Sequence, residues 1–550
     1  MVARHPLATA KQPHNMKQTH TAILILALLA TMASCQKDSD TVTLGASIDY
    51  TSGAPKLHLS GTTPQWESND SVWINGNGNY TVTFNNNGTT AQITNVARDN
   101  NNEYTAVYPA NIVTGYTGRT VNITLPREQE YVSGTNGQQI RLPLIAYNNG
   151  NNLTFKSLCS LVKISINTTG NSLSISRITL TASSAKLSGP TTASIQNGQS
   201  LLGTMDDEAE HDVSLVFSTP EEINSTPSDY YIAVPEFPNN DEVSIIIHTS
   251  DGKFFPLIKS NVSLLHNSIA SLSITVGQLQ TPHHAFSIDG SQKVRFSKGN
   301  LQYTTQGNHT TTESNNATGT FRFAKHQYDI IGADNTNISP TYTGWIDLFG
   351  WATSGYSNKP PTKVEIGYSS YYYNKNITGS KSEYDWGQFN YIGNDQYGTW
   401  RTLTSDEWLY LLSSRTGILG GTNARFAEVE VNNIHGVILF PDGFSWPINT
   451  SIAQPSTYNN YHSTWNNINY TPAKWAILEA AGIIFLPAAG FRHGTTVSEV
   501  NNLVLYWSSS KSNTMGSAIY IMFDNHRAIF NGGLYSVDYG FSVRLVQDCQ

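Results

Sequence analysis

A chain of 550 residues is too long for a single hydrophobic core, and at about 150 residues per unit it suggests three or four. Charged side chains make up 13% and aromatics 11%, which excludes a disordered polyelectrolyte and fits a β-rich protein kept soluble by Asn, Ser, Thr and Gly. The net charge of -8 comes without a basic stripe, so no nucleic-acid partner is expected; three cysteines, Cys35, Cys159 and Cys549, are too few for a disulfide scaffold or a thiolate zinc site.

The first segment reads as an address. Lys17 and His20 precede an apolar run over 22–32 that ends in Ala33-Ser34-Cys35, the pattern of a secretory signal, and Met16 is the expected initiator. The run is shorter than the about 20 residues that a permanent span requires. A Cys directly after Ala-Ser resembles a bacterial lipoprotein signal, and the resemblance implies acylation of Cys35 and partition into outer-membrane lipid. Residues 36–40, Gln-Lys-Asp-Ser-Asp, resemble the acidic signal that sends Bacteroidetes lipoproteins to the cell exterior. Residues 1–34 are therefore expected to be a signal peptide and 35–40 a lipidated tether.

Period-2 alternation dominates 41–277. Tyr80, Val82 and Phe84 share one strand face, as do Val213, Leu215 and Phe217, and Leu272, Ile274 and Val276, with Asn- and Gly-rich turns between the runs. Cys159 lies in an apolar run over 158–166, so a buried free thiol is expected. The spacing predicts two β-sandwiches, 41–150 and 151–277. Trp66-Glu67-Ser68-Asn69-Asp70-Ser71-Val72, Tyr104 to Ala110 and Leu125-Pro126 resemble the first domain of the fimbrillin-like family; Phe155 to Ile164 and Lys186-Leu187-Ser188-Gly189 resemble the second. That resemblance implies a type V pilus subunit or tip, joined to other pilus subunits by β-strand addition. Stalk subunits of the family are cut after an early Arg. Here the first Arg after Cys35 is Arg98, inside the predicted sandwich, so either another residue such as Lys56 is cut or the tether is kept. A surface lipoprotein using the sandwiches only as a stalk stays open beside the pilus reading.

Residues 278–284 read as a linker, whose His283-His284 pair has no further metal ligands nearby. Beyond it, over 285–550, Trp, Tyr and Gly become dense and two helices are signalled. Thr404 with Glu407 forms a capping box ahead of Trp408, Leu411 and Leu412; Thr471 with Pro472 starts a second helix that Gly482 stops. Strands around them make an α+β unit. Trp400 to Trp408, Phe485-Leu486-Pro487-Ala488-Ala489-Gly490-Phe491-Arg492, Tyr506-Trp507-Ser508-Ser509-Ser510 and Gly540 to Leu545 resemble the C-type lectin-like fold, in the variant shared with formylglycine-generating enzymes and the Fibrobacter-type major paralogous domain. The fold class expected is thus mainly β: two fimbrillin-like β-sandwich domains followed by an α+β C-type lectin-like domain.

Enzyme chemistry finds little support. The sulfatase-activating relatives use a reactive cysteine pair, and this half holds only Cys549. Trp465-Asn466-Asn467 lacks the Glu-Pro-Asn partner of calcium-dependent lectins, so no metal or other cofactor is expected. Glu383 and Asp385 read as ordinary solvated acids rather than a hydrolase pair. Binding is better supported, because 501–539 mixes Asn, Ser, Tyr and His between apolar anchors, as antibody loops do. Tyr506, Ser508, Ser510, Asn513, Asn525, His526, Asn531 and Tyr535 are the expected ligand-contacting set, for an unidentified glycan or protein. Lectin-like domains of this kind are also targets of diversity-generating retroelements, whose rewriting of adenines turns Asn codons into Tyr, Ser, Asp and His. An adhesin at the cell surface or on a fimbrium is the expected function, with glycan capture for nutrient uptake as its rival.

Overall fold

The computed structural model describes residues 41–49, 66, 70–75, 78–84, 88, 90–134, 137–307, 319–362, 375–420, 422–460, 465 and 468–549. Cys35, the signal segment and Lys56 lie outside them. The described chain is mainly β, and among its residues no helix is long and apolar enough to cross a membrane.

The first region holds β1 (Thr41–Ile48), β2 (Ser71–Ile74), β3 (Asn79–Phe84), β4 (Thr90–Ala97), β5 (Tyr104–Tyr108), β6 (Val113–Thr117), β7 (Thr120–Leu125), β8 (Glu128–Glu130), β9 (Val132–Gly134), β10 (Gly137–Gln139), β11 (Leu144–Asn148) and β12 (Asn152–Ser157). Where the sequence predicts a β-sandwich over 41–150, seven of these strands close into a barrel in the order β1, β12, β11, β5, β2, β3, β4. Closure depends on β1, which pairs in parallel with β12 and antiparallel with β4. Alternation then has a direct cause: Leu44, Ala46 and Ile48 of β1 point into the barrel with Ile93, Val107, Leu153 and Phe155, all buried. Trp66 fills the interior, its ring edge-on to both Tyr108 and Phe155.

The second region adds β13 (Ser160–Thr168), β14 (Leu173–Ala182), β15 (Gly189–Gln196), β16 (Gln199–Leu202), β17 (Asp212–Ile223), β18 (Ser228–Val234), β19 (Phe237–Thr249), β20 (Phe254–Leu264) and β21 (Ile269–Val276). A three-stranded sheet, β18-β13-β21, faces a five-stranded one, β20-β19-β14-β17-β8, over a core that includes Ile164, Ile178, Leu215, Ile232 and Ile247. Two sheets draw strands from both sides of residue 150: β8 joins β17 in parallel, and β7 pairs with β15. The chain therefore laces the two regions together between 113 and 143. Cys159 is buried and unpaired, and burial pushes its thiol well above the ordinary range.

In the last region the described residues include three short α-helices: α1 (Trp386–Phe389), α2 (Ser405–Leu409) and α3 (Pro472–Ala480). Both expected starts are present. Thr404 and Glu407 form the capping box of α2, and the Thr471 hydroxyl accepts from the amide of Lys474 ahead of α3. Asp385, expected to be a solvated acid, is instead 1% exposed. Its carboxylate accepts from the amides of Gly387, Gln388 and Thr402, so it caps α1 and pins a neighbouring strand.

Residues 278–284 are not slack. Gln280 bridges to Phe254, and the amide of His283 donates to the carbonyl of Ala481 at the end of α3. Gly482 has φ +100, and a Cβ there would lie 1.6 Å from the carbonyl oxygen of His283, so only glycine fits. α3 packs onto the five-stranded sheet in a shared core where Ile246 and Phe254 meet Tyr328, Trp475, Ile477 and Phe485. Polar contacts rim this junction. Thr471 bonds Ser183 and Glu242, Lys474 pairs with Glu242 at 3.3 Å, and Glu210 receives both Lys325 and His326.

The junction makes stability depend on pH. Burial raises the Glu210 carboxyl, but hydrogen bonds from His326 and Lys325 outweigh it and hold the group at about 2. Burial, then the charge of Arg177, drives His248 beside the junction down to about 4, and His211 is lowered by burial as well. An unfolded histidine takes up its proton near 6.5, so between 6.5 and 4 the unfolded state binds more protons at His248, and stability falls with acidification. His326, raised by Glu210 against burial, works in the opposite sense and loses its contribution as pH rises above its folded value. The Glu210 contribution is present above about 4.5 and lost as pH falls towards 2. Melting followed by calorimetry is expected to drop from pH 6.5 to 4, with His248→Gln removing at most about 3 kcal/mol of that slope.

Candidate functional site

Three antiparallel strands, Val504–Lys511, Ala518–Asp524 and Arg527–Gly532, form the sheet that carries most of the predicted ligand set. The first strand is enclosed on both faces. Leu505 and Trp507 point into one apolar cluster, with Phe349, Trp386 and Phe541; Val504 and Tyr506 point into another, with Trp408 and Phe426. Three expectations are therefore corrected. Tyr506 is fully buried, donating its hydroxyl to Asn300 Oδ1 at 2.9 Å. Ser508 is buried and donates to the carbonyl of Ile519; Ser510 is buried and accepts from the amide of Ser405 at the start of α2. With α2 on one side and the chain around Phe349 on the other, neither face of this strand can meet a ligand.

The other five residues reach the surface, but at opposite ends of the sheet. Asn525 and His526 occupy the turn after Asp524, whose carboxylate accepts from the amides of His526 and Arg527. Asn513, Asn531 and Tyr535 lie at the far end, roughly 20 Å away along the seven-residue middle strand. Asn513 and Asn531 are exposed, and Tyr535 is half-buried against Tyr520, Tyr539 and Phe541.

At that far end two loops, 512–517 and 532–537, are braced into one surface. Ser512 Oγ donates to the carbonyl of Gly533 at 2.9 Å, the amide of Val537 donates to Gly516 at 3.0 Å, and Ser517 bridges to Ser536. A Cβ on Gly533 would stand 2.6 Å from the Ser512 hydroxyl oxygen, so glycine permits the approach. The bracing presents two apolar side chains outward: Met515 is 87% exposed and Leu534 84%, the highest values among the large hydrophobic residues described. Beside them runs a half-exposed aromatic apron, in which Phe491 and Tyr539 border Tyr535 and His493 stacks on Tyr539 at 4.3 Å. Among the described residues no group of His, Cys, Asp or Glu is arranged to hold a metal ion. A cleft of about 490 Å³ lies elsewhere, where the barrel meets β8, and its walls mix Asp70, Tyr108, Ile112, Glu128 and Arg141.

No family model and no curated protein matches this chain. Among solved structures it is similar to a "putative cell adhesion protein" from Bacteroides ovatus, at 14% identity over 44% of this chain and 95% of that one, with a TM-score of 0.28. A protein of the same description from Bacteroides uniformis matches at 14% identity, 44% and 96% coverage and 0.25. A minor pilin of Streptococcus agalactiae matches at 10% identity, 44% and 98% coverage and 0.16. At such scores the functional reading rests on the geometry of the chain itself.

Sequence reasoning passed over Met515 and Leu534 because it sought a polar palette. A signal was present: Thr514-Met515-Gly516 and Gly533-Leu534 each set one large apolar residue beside turn-forming glycine, where no core can reach it. Arg492 and Arg544, within the stretches that resemble the lectin-like fold, are internal. Arg492 donates to the carbonyls of Leu348 and Gly494, and Arg544 donates to Gln327 and Asn300, both guanidiniums buried.

Proposed function

We propose that the chain is a surface lipoprotein adhesin, anchored in the outer membrane through Cys35, whose C-terminal lectin-like unit binds a protein ligand of host or microbial origin without chemistry. One observation carries this: the two most exposed large apolar side chains among the described residues sit on neighbouring loops locked together by hydrogen bonds over a buried aromatic core. Rigid loops lose little entropy on binding, and apolar tips gain from desolvation. The amides of Asn513 and Asn531 are placed to fix orientation. Substitution at such positions costs the fold little, as a segment diversified by a retroelement requires. The barrel and the facing sheets serve as stalk or pilus-joining module. β1 is the strand whose removal would open a groove between β4 and β12 for a partner's strand, whereas a cut after Arg98 would take four of the seven barrel strands with it; this favours a retained tether or a cut nearer β1.

The apron of Phe491, His493 and Tyr539 supports a second reading, glycan capture, since flat rings stack on sugar faces. A microarray of host proteins, microbial proteins and glycans probed with the full chain tests both. Binding to proteins that is lost in the double variant Met515→Ser, Leu534→Ser supports the first reading; glycan binding that survives it but fails in Tyr539→Ala supports the second. Substrate turnover without stable binding would overturn both.

A further inference from the structure

A sheet edge invites another strand unless it is short, charged, bulged, broken by proline or covered. In the N-terminal half most edges carry one of these devices. β20 contains Pro256 and Lys259, β8 is three residues with two glutamates, β6 is bulged at Gly115, and β16 has four residues. The edge of β18 is plugged by side chains. Gln129 exchanges two hydrogen bonds with the backbone of Ala233, donating at 2.7 Å and accepting at 3.0 Å, and Gln138 does the same with Tyr231, donating at 2.9 Å and accepting at 2.7 Å. Two glutamine amides thus stand in for a neighbouring strand on alternate residues.

The opposite edge of the same sheet has no such protection. β21 is eight residues long, pairs only with β13 among the described strands, and contains no charge, proline, glycine or bulge: Ile269-Ala270-Ser271-Leu272-Ser273-Ile274-Thr275-Val276. Beside its start Leu265 is 63% exposed and Ile269 40%. At its other end opens a shallow cavity of about 390 Å³ lined by Leu173, Val276, Gly277 and Leu279.

We propose that β21 is a self-association edge, on which a second copy of this chain pairs antiparallel about a two-fold axis at Leu272. The occupant follows from chemistry. Facing residues in an antiparallel ladder share a sheet face, so the register sets Ala270 against Ile274, Ser271 against Ser273 and Ile269 against Thr275, keeping inner with inner and outer with outer. An uncharged strand meets its own copy without like-charge repulsion, which the acids of β8 or the lysine of β20 would not allow. The same operation carries the exposed Leu265 of each copy to the cavity end of the other's β21, the reciprocal knob and hole that a two-fold contact demands. Two three-stranded sheets become one of six. This goes beyond ligand binding and does not depend on it.

Sedimentation and light scattering of the full chain over a concentration series test the pairing. A concentration-dependent dimer is expected, with amide exchange slowed in 269–276 as it forms. Ser271→Lys with Ser273→Lys, both exposed positions, sets lysine against lysine and is expected to return the chain to monomer with unchanged melting. Leu265→Asp is expected to weaken the dimer by about tenfold or more. A monomer at every concentration would overturn the proposal, as would a dimer that persists in the lysine variant or leaves exchange in 269–276 unaltered.

Discussion

Replacing Met515 and Leu534 together by serine is expected to weaken ligand binding by about a hundredfold while leaving the melting temperature in place. Burying an apolar side chain of this size in an interface is worth about 1.5–3 kcal/mol, and about 1.4 kcal/mol is a factor of ten in affinity. Both side chains are more than four-fifths exposed in the free chain, so their removal takes nothing from its core. Substitutions at such positions shift stability by about 0.5 kcal/mol or less. Titration of the partner found on the array against parent and double variant gives the ratio directly, and calorimetry of the two proteins checks the unchanged fold. Equal affinity would remove these loops from the binding surface. An unchanged on-rate with a faster off-rate is the expected kinetic form, because the lost contacts are short-ranged.

The second large effect lies beneath the loops. Trp507→Ala is expected to destabilise the C-terminal unit by about 3–5 kcal/mol, the usual cost of emptying a buried aromatic site. Trp507 is fully buried, its ring stacks on Phe541 at 4.1 Å, and its indole N–H donates to the carbonyl of Phe349 at 2.7 Å. Alanine leaves a cavity and removes one of the two hydrogen bonds to the carbonyl of Phe349, which still accepts from the amide of Phe541. For a unit of this size that corresponds to a fall of roughly 10 °C in its melting transition, read by calorimetry. Trp507→Phe keeps the stacking and is expected to recover more than half of the loss. If the alanine variant melted within about 2 °C of the parent, the two-sided enclosure of this strand would be wrong.

Local signals were legible and long-range ones were not. Thr404, Glu407, Thr471 and Pro472 announce helix starts because capping is settled within four residues, and each does so in the structure. The alternation in β17 and β21 is legible for the same reason. Barrel closure is not, because it requires β1 to find β4 about 50 residues away, and nothing in either strand names its partner. The misplaced site residues have a subtler cause. Ser508 and Ser510 look exposed because serine is polar, yet a hydroxyl that bonds a backbone carbonyl or amide sits inside without penalty. Period-2 reasoning assumes one wet face, and a strand covered on both sides breaks the assumption. Asn513, in a loop, and Asn531, near the end of an edge strand, are exposed as polar side chains at such positions usually are.

The apolar seam between α3 and the five-stranded sheet has a mechanical corollary. With Trp475 and Phe485 seated against Ile246 and Phe254, and Gly482 clasping the chain as it enters, the head cannot swivel on its stem. A pull applied at Leu534 is therefore handed to the facing sheets without a free pivot between them. On the proposed adhesin reading, the tilt of the stem sets where the loops point before their fit to a ligand comes into play.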